Sequence, residues 1–155
     1  MELEYGLVEN ALDSLREAMI YYNEGDEEDN ANQYKFSILL SAHCVELLLK
    51  EILRRNHPAL LFENIDSVKD LQDDDNQTVG YKNAIQRVKK LCGVDLKQYE
   101  TYIDELGRVR NQIQHYKCSI NGEYHKQLMA KTFSAIEFIF RDILGLKFED
   151  YENII

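Results

Sequence analysis

The stretch FSILLSAHCVELLLKEILRR, residues 36–55, decides the fold. Its apolar residues fall on more than one side of a helix, and a helix of this kind is covered by several neighbours. We therefore predict that it is the central helix of an all-α domain. His43, Glu46 and Lys50 interrupt the stretch, so it is too polar for a membrane span. His57-Pro58 ends the helix, because the residue before proline disfavours helical geometry.

Apolar periodicity predicts four further helices around this one. The five predicted helices are Glu4–Tyr22, Asn32–Arg55, Val79–Cys92, Leu96–Tyr116 and Tyr124–Leu144. The chain of 155 residues suits one domain, and its shorter connections favour an antiparallel, up-down bundle of four to five helices. We expect residues 56–80 to form an irregular acidic connection and residues 147–155 to form a loosely ordered tail.

Composition narrows the classes of function. The net charge of −10 argues against broad, nonspecific binding of nucleic acid, because such binding needs a cationic surface. Basic residues are nevertheless clustered locally at positions 54–55, 87–90 and 108–110. The three cysteines form no CxxC pair, so we predict no disulfide framework, no metal site and no cofactor. The first ten residues carry acids where a signal peptide carries basic residues, which predicts a cytoplasmic protein without a membrane segment.

The segment RVRNQIQHYK, residues 108–117, holds the candidate chemistry. On a helix, Arg108 and Asn111 lie on the same face as His115, whereas Arg110 is turned about 140° away from His115. This polar stripe has two interpretations. It is either a solvated helix face, with His115 as a cation favoured at the helix C-terminus, or a site that acts on a phosphodiester.

Two segments resemble motifs of the HEPN superfamily (higher eukaryotes and prokaryotes nucleotide-binding domains). In ELGRVRNQIQH, residues 105–115, Arg110, Asn111 and His115 match the pattern of an arginine, a polar residue, three to five further residues and a histidine. In SAHCVELLLKEILRR, residues 41–55, a small residue is followed by the histidine, glutamate, leucines and lysine of the family's second helix. The resemblance implies an all-α bundle, frequent homodimerisation and, often, metal-independent RNA cleavage.

The implied chemistry is physically sensible for these residues. RNA supplies its own nucleophile, the 2′-hydroxyl, and His115 is a suitable base to take its proton near neutral pH. The planar guanidinium of Arg110 stabilises charge on the phosphate oxygens, and Asn111 either holds the imidazole or contacts the phosphate. The first hypothesis is thus a metal-independent endoribonuclease, as a toxin or defence effector. The alternative is a non-catalytic HEPN-type module that binds a nucleotide or a partner protein.

Three further residues support or qualify the site. Glu46 either pairs with Arg110 across the bundle or faces solvent, and Arg108 shares the face of His115. In a branch of the family paired with a small nucleotidyltransferase antitoxin, a tyrosine lies two residues after the histidine. Here Tyr116 lies one residue after it and residue 117 is lysine. Tyr116 either takes the place of that tyrosine or packs on the bundle as a helix-end aromatic residue, and we favour the packing. His43 is expected to be a hydrogen-bonded core histidine.

Two chains meeting about a two-fold axis would form a composite site with arginine from one and histidine from the other.

Overall fold

The all-α prediction is confirmed by a computed structural model that describes residues 1–155. The chain forms five α-helices and no sheet. They are α1 (Leu7–Glu27), α2 (Asn32–Asn56), α3 (Tyr81–Lys90), α4 (Tyr99–His115) and α5 (Gly122–Phe138), and α5 continues into a π-helical turn at Ile139–Ile143. None of these helices is both long enough and apolar enough to span a membrane.

Helix α2 occupies the centre of the bundle, as its apolar pattern predicts. Its buried residues contact α1, α3, α4 and α5, and Ile38, Leu48, Leu49 and Leu53 have essentially no exposed surface. The C-terminal end of α2 is placed as expected, because His57 adopts an extended conformation directly before Pro58. The other helices of the bundle are therefore arranged around α2, whose buried residues lie mainly between Ser37 and Leu53.

The four long helices alternate in direction. The start of α1 and the end of α2 line one groove, so these helices are antiparallel. Helices α4 and α5 are antiparallel too, since Tyr99 stacks on Phe138 while Glu105 accepts a hydrogen bond from Tyr124. The short α3 lies against α4, where its first residue, Tyr81, contacts the middle of that helix. This contact positions the candidate site described below.

Helix α1 is longer than its apolar pattern predicts. It continues through the acidic residues to Glu27 rather than ending at Tyr22. Glutamate is a good helix former, and Gly25 packs directly against the ring of Tyr34 in α2. The extra turn is therefore stabilised by a tertiary contact that a periodicity of apolar residues does not record.

The connection between α2 and α3 is irregular over most of its length, but its two ends are tied together. A 3₁₀ turn at Pro58–Leu61 leads to Phe62, which forms an isolated antiparallel bridge with Thr78. The guanidinium of Arg87 donates to the carbonyl oxygens of Leu60, Phe62 and Glu63. The acidic residues between these ends are exposed.

The C-terminal residues differ from the loosely ordered tail expected for residues 147–155. They form a 3₁₀ turn at Phe148–Tyr151, and the ring of Phe148 stacks on the buried ring of Phe140 at a centroid distance of 4.3 Å. The backbone carbonyl of Ile154 accepts a hydrogen bond of 2.9 Å from Arg16 in α1. The expectation is wrong because two aromatic side chains anchor a segment too short to show a helical period.

A buried carboxylate joins α2 to the end of α5. The side chain of Glu51 is only 7% exposed and accepts two hydrogen bonds of 2.7 Å from Arg54 and one of 3.1 Å from Arg55. Arg55 also donates to the carbonyl oxygen of Leu144, at 2.7 Å. Burial raises the pKa of Glu51, but these hydrogen bonds and charges outweigh it and hold the pKa below its usual value.

Candidate functional site

The two arginines of the candidate motif have different environments. Arg108 donates to Glu105, one turn earlier on α4, at 2.5 and 3.1 Å, and also contacts the hydroxyl of Tyr124 on α5. Hydrogen bonds from Arg108 and Tyr124 lower the pKa of Glu105 to about 2. The charge of Arg108 is therefore already balanced within the chain.

Arg110 has no carboxylate partner. It forms neither a hydrogen bond nor an ion pair through its side chain, and its Nε atom is buried without any partner. Its guanidinium instead lies over the ring of Tyr81, with the central carbon 5.1 Å from the ring centroid. Such a contact is favourable for a cation but leaves the guanidinium N–H groups free to donate.

Arg110 lines a groove of about 480 Å³ between α3 and α4. The residues of this α3–α4 groove are Tyr81, Lys82, Ile85, Gln86, Asp104, Gly107, Arg108, Arg110 and Asn111. Its cations are Lys82, Arg110 and the already paired Arg108, and its one carboxylate is Asp104, in a chain that is strongly acidic as a whole. Burial, with a smaller contribution from Glu100, raises the pKa of the Asp104 carboxyl. The groove thus combines a local positive charge with amide donors from Gln86 and Asn111.

His115 lies outside this groove. It is the last residue of α4, it is exposed, and its imidazole makes no hydrogen bond within the chain. Asn111 is also exposed and makes no hydrogen bond with the imidazole. The α3–α4 groove of one chain therefore contains Arg110 and Asn111 but not His115.

The supporting residues are placed differently from several expectations. Glu46 is partly buried and forms no ion pair with Arg110. Tyr116 is 82% exposed, so its predicted packing on the bundle is wrong. The backbone becomes extended at Tyr116, which carries the ring away from the preceding helix.

His43 is not a core residue, although it is hydrogen-bonded as predicted. Its ring is exposed at the edge of α2, and Nδ1 lies 2.8 Å from the hydroxyl of the buried Ser14 in α1. Partial burial lowers the pKa of this imidazole, while Glu46 opposes the shift. The expectation of a core position fails because residue 43 faces the boundary between α1 and α2 rather than the centre.

Sequence patterns alone do not show that Tyr81 and Gly107 line the groove. Tyr81 fits the apolar periodicity of α3, which predicts packing in the core and not a place beside a cation. The available signal was Gly107 itself, a glycine in the interior of a long helix, where it costs about 1 kcal/mol relative to alanine. Such a glycine indicates that another group approaches the helix backbone closely.

Comparison with protein-family models, curated proteins and solved structures gave no match to this chain. The resemblance to HEPN proteins therefore depends on the two motifs alone and stays a prediction. No group of three or more His, Cys, Asp or Glu side chains is arranged to hold a metal ion.

Proposed function

We propose that this protein is a metal-independent endoribonuclease in which Arg110 stabilises the reacting phosphate and His115 is the general base. The observation that carries the proposal is the state of Arg110. It is the arginine of the motif without a carboxylate partner, and its Nε is buried with no acceptor at a groove of local positive charge. The terminal N–H groups of the same guanidinium also lack an acceptor, and a phosphate oxygen bound in the groove would supply one.

The proposed reaction needs three events. His115 takes the proton of the 2′-hydroxyl, the 2′-oxygen attacks phosphorus, and the bond from phosphorus to the 5′-oxygen breaks as that oxygen takes a proton from water. His115 then returns its own proton to water. The products are a 2′,3′-cyclic phosphate and a 5′-hydroxyl. Arg110 donates to the phosphate oxygens, on which charge builds in the transition state. His115 is exposed at the helix end, where a large substrate can reach it.

Two features support a homodimer: His115 does not line the groove that holds Arg110, and the two residues are offset by about 140° around α4. If two copies of α4 meet about a two-fold axis, each site takes Arg110 from one chain and His115 from its partner. The role as a toxin or defence effector in the cytoplasm, with an antitoxin or nucleotidyltransferase as partner, is carried over from the HEPN resemblance alone.

The decisive experiment is RNA cleavage by purified protein in EDTA, with His115→Ala and Arg110→Ala as variants. Each substitution is expected to reduce the rate by roughly 10²- to 10⁴-fold without lowering the melting temperature, since loss of a general base or a charge stabiliser has this size. Arg108→Ala is the matched comparison and should cost less, because Glu105 occupies its guanidinium. Undiminished cleavage by His115→Ala would refute the proposed base.

A mixing experiment tests the composite site. His115→Ala and Arg110→Ala chains, inactive alone, are combined in equal amounts and allowed to exchange. Half of the dimers are then mixed, and each mixed dimer has one intact site, so about a quarter of wild-type activity should return. No recovery, or a sedimentation profile of a strict monomer that still cleaves RNA, would reject the shared site.

A second function is favoured by the position of His115. Because the groove holds Arg110 and Asn111 without the histidine, it is suited to binding a nucleotide without cleaving it. This alternative, a non-catalytic HEPN-type module for a nucleotide or a partner protein, predicts a binding signal with no RNA cleavage by any variant.

A further inference from the structure

Tyr81 is held rigidly between α3 and α4. It is the first residue of α3, its side chain is buried, and its hydroxyl donates to the carbonyl oxygen of Ile103 at 2.7 Å. The ring therefore cannot turn without breaking a buried hydrogen bond, which costs about 1–3 kcal/mol when a group is left unpaired.

Gly107 allows this ring to lie against α4. A Cβ atom at position 107 would be 2.6 Å from Cε1 and 2.9 Å from Cδ1 of Tyr81, distances that real Cβ atoms do not show. Any other residue would displace the ring or the helix. The contact between Tyr81 and Gly107 is thus specific to glycine, although glycine weakens the interior of a helix.

Arg110 lies three residues after Gly107 and shares its face of α4. The same Tyr81 ring that touches Gly107 carries the Arg110 guanidinium on its face, at 5.1 Å from centroid to central carbon. Arginine side chains are flexible, and a fixed aromatic platform removes much of that freedom before a ligand arrives. Both groups line the α3–α4 groove, as do Lys82 and Asn111.

We propose that Tyr81 and Gly107 form a positioning platform that turns Arg110 into the phosphate-binding group of the α3–α4 groove. Tyr81 acts through Arg110 and does not touch the phosphate. The ligand is a phosphate group, with Arg110 as the principal donor and Asn111 and Lys82 at the same groove. Only the choice of phosphate rests on the proposed function; the platform itself rests on the contacts of these three residues.

The experiment follows the Nε–H signal of Arg110 by nitrogen-15 NMR during titration with inorganic phosphate. The signal is assigned by its loss in Arg110→Lys. We expect it to shift with phosphate in the wild-type protein, and Tyr81→Leu to weaken binding about tenfold, the size of a partly desolvated cation–π contact. Tyr81→Phe keeps the ring and should retain most of the affinity. Gly107→Ala, which displaces the ring, should resemble Tyr81→Leu.

Tyr102→Leu is the matched control. Tyr102 is also on α4, and its ring carries Lys131 at 5.5 Å, on the side of the helix that faces α5. Its loss should leave the phosphate affinity and the Arg110 signal unchanged. If the phosphate affinity falls in Tyr81→Leu but is retained in Tyr81→Phe, the aromatic ring positions Arg110 and the loss is not due to general destabilisation. Thermal unfolding of each variant checks that the fold persists.

The results distinguish this inference from the proposed nuclease. Phosphate binding that depends on Tyr81, in a protein that cleaves no RNA, would support the platform and reject the nuclease. RNA cleavage with an unchanged KM in folded Tyr81→Leu would reject the platform and keep the nuclease. An Arg110 signal that does not respond to phosphate in the wild-type protein would overturn the inference directly.

Discussion

Replacement of Glu51 by glutamine tests the link between α2 and the end of α5. The substitution keeps the shape of the side chain but removes the charge to which Arg54 and Arg55 donate. Breaking a fully buried ion pair costs about 3–5 kcal/mol. Here the two arginines are 50% and 39% exposed, so water can replace part of what they lose. We therefore expect Glu51→Gln to lower the free energy of unfolding by about 1–2 kcal/mol, or about 2–8 °C in melting temperature.

The pH dependence makes this prediction sharper. The pKa of Glu51 is lower in the folded chain than its usual value of 4.5, so its stabilising effect is complete above pH 4.5. That effect disappears as the pH falls through the folded-state pKa, because the protonated carboxyl resembles the amide. The stability difference between wild type and Glu51→Gln should therefore shrink in acid.

The assay is urea unfolding of both proteins at several pH values, with Glu46→Gln as the control. Glu46 lies on the same helix and forms no ion pair, so its substitution should change stability by less than about 0.5 kcal/mol. A Glu51→Gln protein as stable as wild type at pH 7, or a difference that does not vary with pH, would refute the ion-pair account.

Three further predictions follow from other contacts. Arg108→Ala should return the pKa of Glu105 from about 2 toward 4.5, as measured by carbon-13 NMR of its carboxyl. On acidification, the stability that Glu105 adds at neutral pH should then be lost at a higher pH than in wild type. Phe148→Ala should lower the free energy of unfolding by about 1–3 kcal/mol, because it removes the ring stacked on Phe140; an unchanged denaturation midpoint would mean that the C-terminal segment adds nothing. A thiol reagent should label the exposed Cys118 rapidly and Cys44 only after unfolding, since complete burial raises the pKa of the Cys44 thiol; mass spectrometry of the labelled native protein decides this.

The sequence predicted the fold best where a helix buries apolar residues. Helix α2 begins at the predicted residue and ends one residue later than predicted. Its dense apolar pattern indicates the buried part of the helix, and Pro58 indicates where the helix ends. The C-terminal segment was missed because its stability comes from two aromatic contacts rather than from a period. Local spacing does not record contacts of this kind.

The contacts of the candidate site residues could not be predicted from the sequence. The motif selected Arg110, Asn111 and His115 together, and only the packing of α3 and α5 onto α4 shows how differently the arginines are engaged. The partner of Arg108 on α5, Tyr124, and the platform beneath Arg110 on α3, Tyr81, are distant in sequence from α4. A helical projection of α4 contains neither of them.

The unpartnered Nε of Arg110 also has a thermodynamic consequence. A buried donor without an acceptor lowers the stability of the free protein, so Arg110→Met, which keeps the apolar stem, should melt at a higher temperature than wild type. Bound phosphate should raise the melting temperature of wild type and leave that of Arg110→Met where it was. A variant that melts at a higher temperature and no longer responds to phosphate would show that Arg110 serves ligand binding at a cost to folding stability. This melting experiment requires phosphate but no RNA substrate.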